Sequence, residues 1–459
     1  MRRERWVALV TLVLLQIFVV AAGAHLITSG ALVKGESERV APAAPPPVPV
    51  ITAGPVLAAG GNGPLPAKST LAGRLTEALG DPALGGSVGA VVVDAETGAV
   101  LFGSHEAKGI TPASTTKVVT SVASLASLGP DTRLSTRVVR GSSPGSIVLV
   151  GGGDPTLASP RTAASQVYPK PASLATLASR TARALKAAGT SKVTVAYDDS
   201  LYVGPRTAAS WKPGYVPEGS VAPVTALMVD EGRVSSGGQR TSDPSRAAHG
   251  AFVSLLSKYG ITVSKSARRA TAPAGAQEIA RVESAPVYAL VERALTLSDN
   301  DLSEALARHV AIKEGEPASF DGGARAVAKV LARLGAGKGV LVFDGSGLSP
   351  RNRITPEALA RLVAVAASPA NPGLNPIVSG MPIAGFSGTL GHRFDKTRSA
   401  YGLVRAKTGT LDGVNTLAGM TTTRAGRLVT FAFMADDVPP GWGKAEAALD
   451  RLAAVVAAS

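Results

Sequence analysis

The sequence predicts an α+β fold in which one domain is interrupted by a long β-rich insertion. A β-hairpin is predicted near each end of the globular part, from residues 88–93 with 99–102 and from residues 414–420 with 428–434, each pair separated by a glycine-containing turn. Between them, residues 134–284 are rich in short β runs and turns. The order is helix, hairpin, insertion, helices, hairpin, helix, which is typical of an α+β domain.

Helices are predicted where apolar residues recur every three to four positions. Leu71, Leu75 and Leu79 lie on one helical face, and Gly80 follows as a stop signal. Further helices are predicted from Ser114 to a closing glycine at Gly129, after Pro286, and over residues 445–457.

Residues 1–27 have the pattern of a signal or membrane anchor. Arginines at positions 2, 3 and 5 precede an apolar run over residues 6–24, which as a helix would reach roughly 28 Å. The arginines favour the cytoplasmic side, so an extracytoplasmic location is expected for the rest of the chain. Residues 22–24 read Ala-Gly-Ala, as a cleavage site would, but the run exceeds an ordinary signal core, which favours a retained anchor over cleavage.

Residues 28–68 form a Pro/Ala-rich linker in this interpretation. Eight prolines between Pro42 and Pro66 alternate with small residues and leave no periodic apolar face, so the chain is expected to stay extended. Two interpretations stay open: a spacer that holds the catalytic part away from a membrane, or a segment without a role after a signal.

Composition restricts the chemistry. The 459 residues carry 47 Lys+Arg against 33 Asp+Glu, so 47 − 33 gives a net charge of +14, which suits an anionic membrane or wall polymers. Aromatic residues make up only 4%, which argues against nucleic acid as a partner. The chain has no cysteine, and its five histidines lack metal-ligand spacing, so neither a metal nor a cofactor is expected.

Three short motifs carry the predicted chemistry. Ser114 and Lys117 are three residues apart at a helix start, where a desolvated lysine amine could take the seryl proton. Residues 298–300 read Ser-Asp-Asn in a predicted loop between helices, and residues 407–410 read Lys-Thr-Gly-Thr at the predicted start of the penultimate strand. Together they offer a nucleophile, a proton relay, an amide and a positive charge.

In these motifs the chain resembles the penicillin-binding D-alanyl-D-alanine carboxypeptidase/endopeptidases, the serine DD-peptidases with a large insertion in the catalytic domain. The resemblance runs from about Leu71 to the C-terminus. Further matching segments are residues 149–157, 222–227, 344–349, 381–385 and 388–390. It implies the serine β-lactamase/DD-peptidase (transpeptidase-like) fold, with a helical region packed on an antiparallel sheet. The catalytic domain would comprise residues 69–134 and 285–459, and the insertion residues 135–284.

The resemblance also implies roles for the motif residues. Its catalytic residues would be Ser114 as the acylated nucleophile, Lys117 as its general base and Ser298 as the proton relay to the leaving D-alanine. Its substrate-binding residues would be Asn300 to orient the peptide and the lysine, Lys407 for positive potential, Thr408 and Thr410 for the terminal carboxylate, and Gly409 for close approach of the substrate backbone. The N–H groups of Ser114 and Thr410 would form an oxyanion hole. The substrates would be peptidoglycan stem peptides ending in D-Ala-D-Ala, and β-lactam antibiotics would be covalent inhibitors.

Two positions depart from the family pattern. Family members that read diaminopimelate often carry an acid four residues after a tryptophan, whereas here Trp211 is followed at that spacing by Tyr215, with Glu218 nearby. Pro350 displaces by one position the arginine that usually follows the Gly-Leu-Ser segment. Recognition of the stem-peptide side chain is therefore expected to differ more than catalysis does.

The sequence thus predicts an exported serine D-Ala-D-Ala carboxypeptidase, with additional endopeptidase activity left open. Two alternatives stay open: a non-catalytic penicillin-binding or scaffolding protein of the cell wall, and a β-lactamase, for which no dedicated deacylation glutamate is identifiable. Glu304 and His392 are interpreted as solvated or locally bonded side chains.

Overall fold

The computed structural model describes residues 2–28, 63–162, 167–235, 238–264, 268–441 and 443–459. Contacts divide the chain into two units, Met1–Ala58 and Ala59–Ser459. Helix α1 (Arg2–Thr28) belongs to the first unit. No helix among the described residues has the combination of length and hydropathy needed to cross a membrane. Most of the predicted linker lies outside the described residues.

In the described part of the second unit, the helices are α2 (Lys68–Leu79), α3 (Thr116–Leu128), α4 (Leu174–Ala187), α5 (Pro244–Lys258), α6 (Val287–Thr296), α7 (Asn300–Lys313), α8 (Phe320–Arg333), α9 (Pro356–Ala367), α10 (Pro376–Gly380) and α11 (Lys444–Ala457). The strands are β1 (Val88–Asp94), β2 (Val100–Ser104), β3 (Ser135–Arg140), β4 (Ser146–Val150), β5 (Lys192–Asp198), β6 (Thr262–Val263), β7 (Arg268–Arg269), β8 (Glu278–Glu283), β9 (Val340–Leu341), β10 (Arg353–Ile354), β11 (Arg405–Leu411), β12 (Val414–Thr422) and β13 (Leu428–Ala435).

The main sheet joins the two ends of the second unit. Its five described strands have the order β11-β12-β13-β1-β2, and every neighbouring pair is antiparallel. Both predicted hairpins are confirmed, and β1 pairs with β13 along its whole length, so that Val88 faces Ala435 and Asp94 faces Val429. Strand β11 is at the edge of the sheet.

Helices cover both faces of this sheet. Ala90 and Val92 face a core shared with α2 and α11, whereas Val91 and Val93 face a core shared with α3, α6, α7, α8 and α9. Successive strand residues point to opposite faces, and because both faces are buried the run 88–93 is apolar throughout. The result is a three-layer arrangement with the sheet in the middle.

The insertion contains the predicted β structure and also two helices that the sequence analysis did not name. Its described strands have the order β6-β5-β4-β3-β8, with β7 pairing β5. β4 and β5 are parallel, and α4 lies between them in the chain as the crossover that parallel pairing requires. Leu177 of α4 and Phe252 of α5 are buried against the sheet. The boundaries proposed for the insertion stay a prediction.

Two predicted elements have different bounds. The helix predicted to begin at Ser114 begins at Thr116, because Ala113–Thr115 form a short 3-10 turn. The Lys-Thr-Gly-Thr motif was predicted at the start of the penultimate strand, and that placement is wrong: it lies in the middle of β11, with both β12 and β13 still to come. Asp412 and Gly413 make the tight turn between β11 and β12, and Asp-Gly is a hairpin signal that the prediction had not used.

Candidate active site

Ser114 lies at the junction between a 3-10 turn and helix α3. The preceding residue, Ala113, has a φ of 49°, in the left-handed region that residues with a side chain rarely adopt. Two glycines let other segments pack against this turn: a Cβ at Gly347 would lie 1.9 Å from the Ala113 carbonyl oxygen, and one at Gly409 would lie 2.6 Å from the Pro112 carbonyl oxygen. The backbone next to Ser114 is therefore held from two sides.

Lys117 is fully buried one helical turn after Ser114. Its ammonium nitrogen donates to Ser114 Oγ at 2.9 Å, to Asn300 Oδ1 at 2.7 Å and to the Ser346 carbonyl oxygen at 2.6 Å. Burial lowers the pKa of Lys117 to about 8, although nearby carboxylates act in the opposite direction. Those carboxylates are Asp344, Glu304, Asp299 and Asp301. A lysine so placed can be neutral for part of the time near physiological pH.

The Ser-Asp-Asn motif turns the chain from α6 into α7. Ser298 is half-buried with a φ of 56°, and its side chain makes no hydrogen bond to another described residue. Asp299 caps α7, accepting a 3.0 Å hydrogen bond from the Leu302 N–H. Asn300 accepts from Lys117 and donates from Nδ2 to the Ser220 carbonyl oxygen at 2.8 Å. The motif thus connects the general-base candidate to the insertion.

A buried ion-pair network supports this loop. Ligand oxygens of Glu231, Asp299 and Asp301 lie within 4.8 Å of one another, a set that could hold a cation. Arg293 Nε is 3.1 Å from Asp299 Oδ2, and its Nη2 pairs with Glu231; Arg240 Nη2 is 3.0 Å from Asp301 Oδ2. With Arg233, whose Nη2 is 3.0 Å from Glu231 Oε2, three guanidinium groups pair with these three carboxylates, so the cluster is better suited to fixing the loop than to binding metal. Burial and the Glu231 carboxylate raise the pKa of Asp299.

Strand β11 places the third motif at an open sheet edge. The Ala406 N–H points away from β12, because it donates to the Pro382 carbonyl oxygen at 3.0 Å. Since N–H directions alternate along a strand, the N–H groups of Thr408 and Thr410 point the same way. Thr410 therefore presents its N–H on the side where a substrate carbonyl or an extended peptide could pair.

The other residues of the third motif are more deeply placed. Lys407 is fully buried, and its ammonium nitrogen donates to the Thr408 carbonyl oxygen at 2.8 Å. Its pKa lies well below the ordinary value, first because of burial and then because of the charges of Lys117 and Arg393. Thr408 Oγ1 is 2.8 Å from Thr389 Oγ1.

The protein itself comes close to Gly409. A Cβ there would lie 2.2 Å from Thr416 Oγ1 and 2.6 Å from the Pro112 carbonyl oxygen, so the absence of a side chain lets residues 112–114 pack against β11. The approach of a substrate backbone to Gly409 stays a prediction.

A cavity of about 830 Å³ opens onto Ser114. Ser114, Asn300 and Thr410 line it, whereas Lys117 and Lys407 lie in the interior beneath it. The insertion contributes Tyr215 and Glu218 to its wall. The structure thus brings Ser114, Lys117 and Asn300 into direct hydrogen-bonded contact and puts Thr410 at the same cavity, while Ser298 makes no bond to them.

Of the two departures from the family pattern, Tyr215 lines this cavity, whereas Pro350 and Arg351 are not among its lining residues. The Tyr215 hydroxyl is buried without a hydrogen-bond partner among the described residues, and Lys212 Nζ is 2.5 Å from Asp412 Oδ2 across the cavity wall. Pro350 accepts a 2.7 Å hydrogen bond from Arg353 through its carbonyl oxygen. The displaced Arg351 lies over the Phe343 ring, with its guanidinium carbon 4.2 Å from the ring centroid.

The sequence alone assigns no role to residues 344–349, which contact and support Lys117. Ser346 supplies a carbonyl, and Asp344 accepts hydrogen bonds from Trp211 Nε1, the Ser349 N–H and Asn352 Nδ2. The interpretation of Glu304 as a solvated or locally bonded residue is wrong, because its side chain is fully buried and accepts from residues about 40 positions away. The spacing of Asn300, Glu304 and Arg308, four residues apart on α7, was the signal that could have revealed this face.

The fold and the serine–lysine pair define the class, a serine-type DD-peptidase. The chain belongs to the D-Ala-D-Ala carboxypeptidase 3 (S13) family, whose pattern matches residues 71–240 and 236–456. This confirms the family resemblance noted in the motifs.

Individual relatives agree with this assignment. Carboxypeptidase DacB of Mycolicibacterium smegmatis is 36% identical over 467 residues, covering 99% of this chain and 98% of the relative. Carboxypeptidase Rv3627c of Mycobacterium tuberculosis is 35% identical, covering 89% of this chain and 88% of the relative. The crystal structure of penicillin-binding protein 4 (dacB) from Haemophilus influenzae superposes with a TM-score of 0.69 at 21% identity, over 83% of this chain and 97% of that one. That similarity confirms the predicted fold class.

Proposed function

We propose that this chain is an exported serine D-Ala-D-Ala carboxypeptidase that acts on peptidoglycan stem peptides through an acyl-enzyme on Ser114. The observation that carries the proposal is the 2.9 Å hydrogen bond between Lys117 Nζ and Ser114 Oγ, made by a lysine that is fully buried and has a lowered pKa. Burial makes the lysine a base that can be neutral near physiological pH, and the hydrogen bond puts it within reach of the proton it must take.

The first half of the reaction forms the ester. Lys117 takes the proton from Ser114 Oγ as that oxygen attacks the carbonyl carbon of the penultimate D-alanine. Asn300 and the Ser346 carbonyl hold the lysine on the other side, so its nitrogen stays directed at the serine. The negative oxygen that develops on the substrate would accept from the N–H groups of Ser114 and Thr410, a contribution of about 3 kcal/mol per donor in comparable sites.

The second half of the reaction involves the leaving group and water. Ser298, whose hydroxyl makes no bond to another described residue, would pass the proton from Lys117 to the amine of the departing D-alanine. Water then attacks the ester carbonyl, with Lys117 again accepting a proton, and the shortened peptide leaves. Each proton taken from a nucleophile is returned to a leaving group, so the enzyme ends in its initial state.

Lys407, Thr408 and Thr410 would bind the terminal carboxylate. No described carboxylate forms an ion pair with Lys407, and burial opposes its charge. A substrate carboxylate would offset that cost, so we propose that substrate binding itself favours the charged form of Lys407.

Penicillins would acylate the same serine. The penicillin-binding protein 4 of Haemophilus influenzae has been crystallised in complex with a β-lactam, and it shares the fold at a TM-score of 0.64. In this chain the β-lactam carbonyl would take the place of the peptide carbonyl at Ser114.

Labelling with a fluorescent penicillin tests the proposal. The wild-type chain is expected to carry a covalent adduct, and Ser114→Ala is expected to carry none while unfolding at the same temperature. Absence of an adduct on the wild type would favour the alternative of a non-catalytic scaffolding protein. An adduct that hydrolyses within seconds would favour a β-lactamase, whereas a long-lived one favours a carboxypeptidase.

Release of free D-alanine from a defined pentapeptide measures the proposed activity directly. Cleavage of cross-linked peptide dimers by the same preparation measures the endopeptidase alternative. The ratio of the two rates decides which activity dominates.

The extracytoplasmic location and the role of residues 1–27 as a signal or anchor are part of the proposal. They are supported by the arginines at positions 2, 3 and 5 ahead of the apolar run, and contact with anionic membrane or wall polymers by the net charge of +14. Expression of the full chain, followed by N-terminal sequencing of the protein recovered from membranes and from the medium, tests both export and cleavage. Recovery only from the cytoplasm would contradict the proposed location.

A further inference from the structure

We infer that Glu304 is a positioning residue for the general base, acting through the backbone turn at residues 345–346. This inference rests on the proposed function, because it assigns Glu304 a part in holding Lys117 for proton transfer. Glu304 itself does not touch the serine or the cavity.

The turn at residues 345–346 is held from both sides. On one side, Glu304 Oε1 accepts from the Gly345 N–H at 3.0 Å and from the Ser346 N–H at 2.8 Å. On the other side, Thr120 Oγ1 donates to the Gly345 carbonyl oxygen at 2.7 Å, and Lys117 Nζ donates to the Ser346 carbonyl oxygen at 2.6 Å. Two successive residues thus have their donors fixed by α7 and their acceptors fixed by α3.

The glutamate is itself immobilised. Glu304 is fully buried, and Arg308 one turn further along α7 reaches back so that Nη1 lies 3.3 Å from Glu304 Oε2. The Arg308 guanidinium carbon is 4.1 Å from the centroid of the Phe320 ring, a cation–π contact that helps to hold the arginine in place. The carboxylate has one oxygen on two backbone donors and the other on a guanidinium, so it cannot turn without losing hydrogen bonds in the interior.

Asn300 and Glu304, which lie on one face of helix α7, both help to hold the Lys117 ammonium group. Asn300 bonds to Lys117 directly, and Glu304, four residues later, reaches the same ammonium through the turn. Two of the three acceptors of Lys117 are therefore controlled from α7, while the third is the nucleophile. Loss of the glutamate would release the Ser346 carbonyl and leave the lysine with one acceptor fewer in its reactive position.

Glu304 also acts on Lys117 by charge. The charged groups around Lys117 are Asp344, Glu304, Asp299, Asp301 and Lys407. Those that face Glu304 are Asp344 and Arg308. Burial and Asp344 raise the pKa of Glu304, while Arg308 and the two N–H donors favour its ionised form. An ionised Glu304 favours the charged form of the lysine, so its removal should make Lys117 easier to deprotonate.

Two variants separate these effects. Glu304→Gln keeps an oxygen that can accept from both N–H groups but removes the charge and the acceptor that faces Arg308. Glu304→Leu removes the remaining acceptor as well. The measured quantity is the second-order rate constant for acylation by a fluorescent penicillin, as a function of pH, together with the unfolding temperature of each variant.

For Glu304→Gln we expect acylation to persist. The pH below which its rate constant falls should be lower than in the wild type by roughly half a unit or more. For Glu304→Leu we expect a loss of about 100-fold in the acylation rate constant, because the lysine is displaced from the serine. Glu314→Gln is the matched control: Glu314 is a carboxylate at the end of the same helix that pairs with Arg333, and it should leave both rate and pH profile unchanged.

The inference is overturned if both Glu304 variants fold and match the wild type in rate and in pH profile. If Glu304→Leu does not fold, the pH profile of Glu304→Gln decides alone. A wild type that is not acylated overturns the proposed function instead. In that case an NMR titration of labelled Lys117 in wild type and Glu304→Gln still tests the charge effect, with an unchanged lysine pKa contradicting it.

Discussion

Asn300 donates a 2.8 Å hydrogen bond from Nδ2 to the carbonyl oxygen of Ser220, across 80 positions of sequence. The same amide accepts from Lys117 through Oδ1, so its two ends are fixed by the insertion and by the general-base candidate. The insertion therefore has a structural part in the site as well as lining its cavity. The orientation of Asn300 therefore depends in part on the position of Ser220.

Replacement of Lys117 tests the base directly. We expect Lys117→Ala to reduce acylation by about 1000-fold, because no other described amine or imidazole bonds to Ser114. The measurement is the rate of adduct formation with fluorescent penicillin, with the unfolding temperature taken alongside. Lys258→Ala, at the exposed end of α5, serves as the control. Acylation at the wild-type rate by the folded Lys117 variant would contradict the assignment.

The acylation rate should depend on pH through Lys117. In the proposed mechanism the neutral amine is the active form, and burial places its pKa at about 8 rather than at the ordinary 10.5. Below this pKa the rate constant should fall about tenfold for each pH unit, and above it the rate should level off. Stopped assays from about pH 6 to about pH 9 measure the profile, with circular dichroism at each pH to verify folding. A rate that is flat between about pH 6 and about pH 8 would be inconsistent with a lysine base.

Changing Asn300 to an acid should move the pH below which the acylation rate falls to a higher value. In Asn300→Asp a carboxylate would face the Lys117 ammonium at hydrogen-bond distance, which favours the charged form and raises the lysine pKa by about one unit or more. The new carboxylate would also repel the Ser220 carbonyl, so the plateau rate should fall as well. The measurement is the pH below which the acylation rate falls, compared between Asn300→Asp and the wild type. Asn375→Asp, at an exposed position, is the control. An acid limb that stays at the wild-type pH refutes this prediction.

Gly409 should be intolerant of any side chain. In Gly409→Ala the added methyl would lie 2.2 Å from Thr416 Oγ1 and 2.6 Å from the Pro112 carbonyl oxygen, so β11 must move away from residues 112–114. We expect a loss of about 1–3 kcal/mol in unfolding free energy and slower acylation. Gly250→Ala in α5 is the control, since its Cβ meets nothing within 4 Å and alanine should stabilise that helix by roughly 0.5–1 kcal/mol. Equal unfolding temperatures for the two variants would show that the site is not crowded.

The sheet itself contains a pH-sensitive ion pair. Asp94 at the end of β1 accepts from Arg427 Nε at 2.7 Å and from Nη2 at 2.6 Å, and Arg427 holds the pKa of this carboxyl at about 2. Because the folded pKa lies below the unfolded value, this stabilisation is complete above about pH 4 and is lost as pH falls from about 4 to about 2. Asp94→Ala should lower the unfolding temperature at neutral pH by several degrees and flatten its decline over that acid range. Thermal unfolding of both proteins at several pH values measures it, and parallel curves would contradict the role of Asp94.

Local sequence patterns were sufficient to predict many of the strands and helices of the fold. The runs at 88–93 and 428–434 could be recognised as strands because each buries both faces, and Leu71 and Leu75 marked a helix by their spacing. The insertion was harder. Its helices α4 and α5 lie among short strands, and parallel pairing of β4 with β5 depends on contacts between segments more than 40 residues apart. The bounds of β11 were missed because its turn to β12 uses only Asp412 and Gly413.

The family could be predicted from the sequence, because Ser114, Lys117, Asn300 and Lys407 belong to short motifs whose residue types and order match it. How the lysine is held became evident only from the packing of distant segments. Lys117 donates to Ser114, to Asn300 and to the Ser346 carbonyl oxygen. Glu304, on the same helix as Asn300, accepts from the Ser346 N–H and so holds the residue that carries this carbonyl. Burial and hydrogen-bond geometry arise when α3, α7 and the 344–349 segment pack together, and no local pattern in the chain specifies the distances between them.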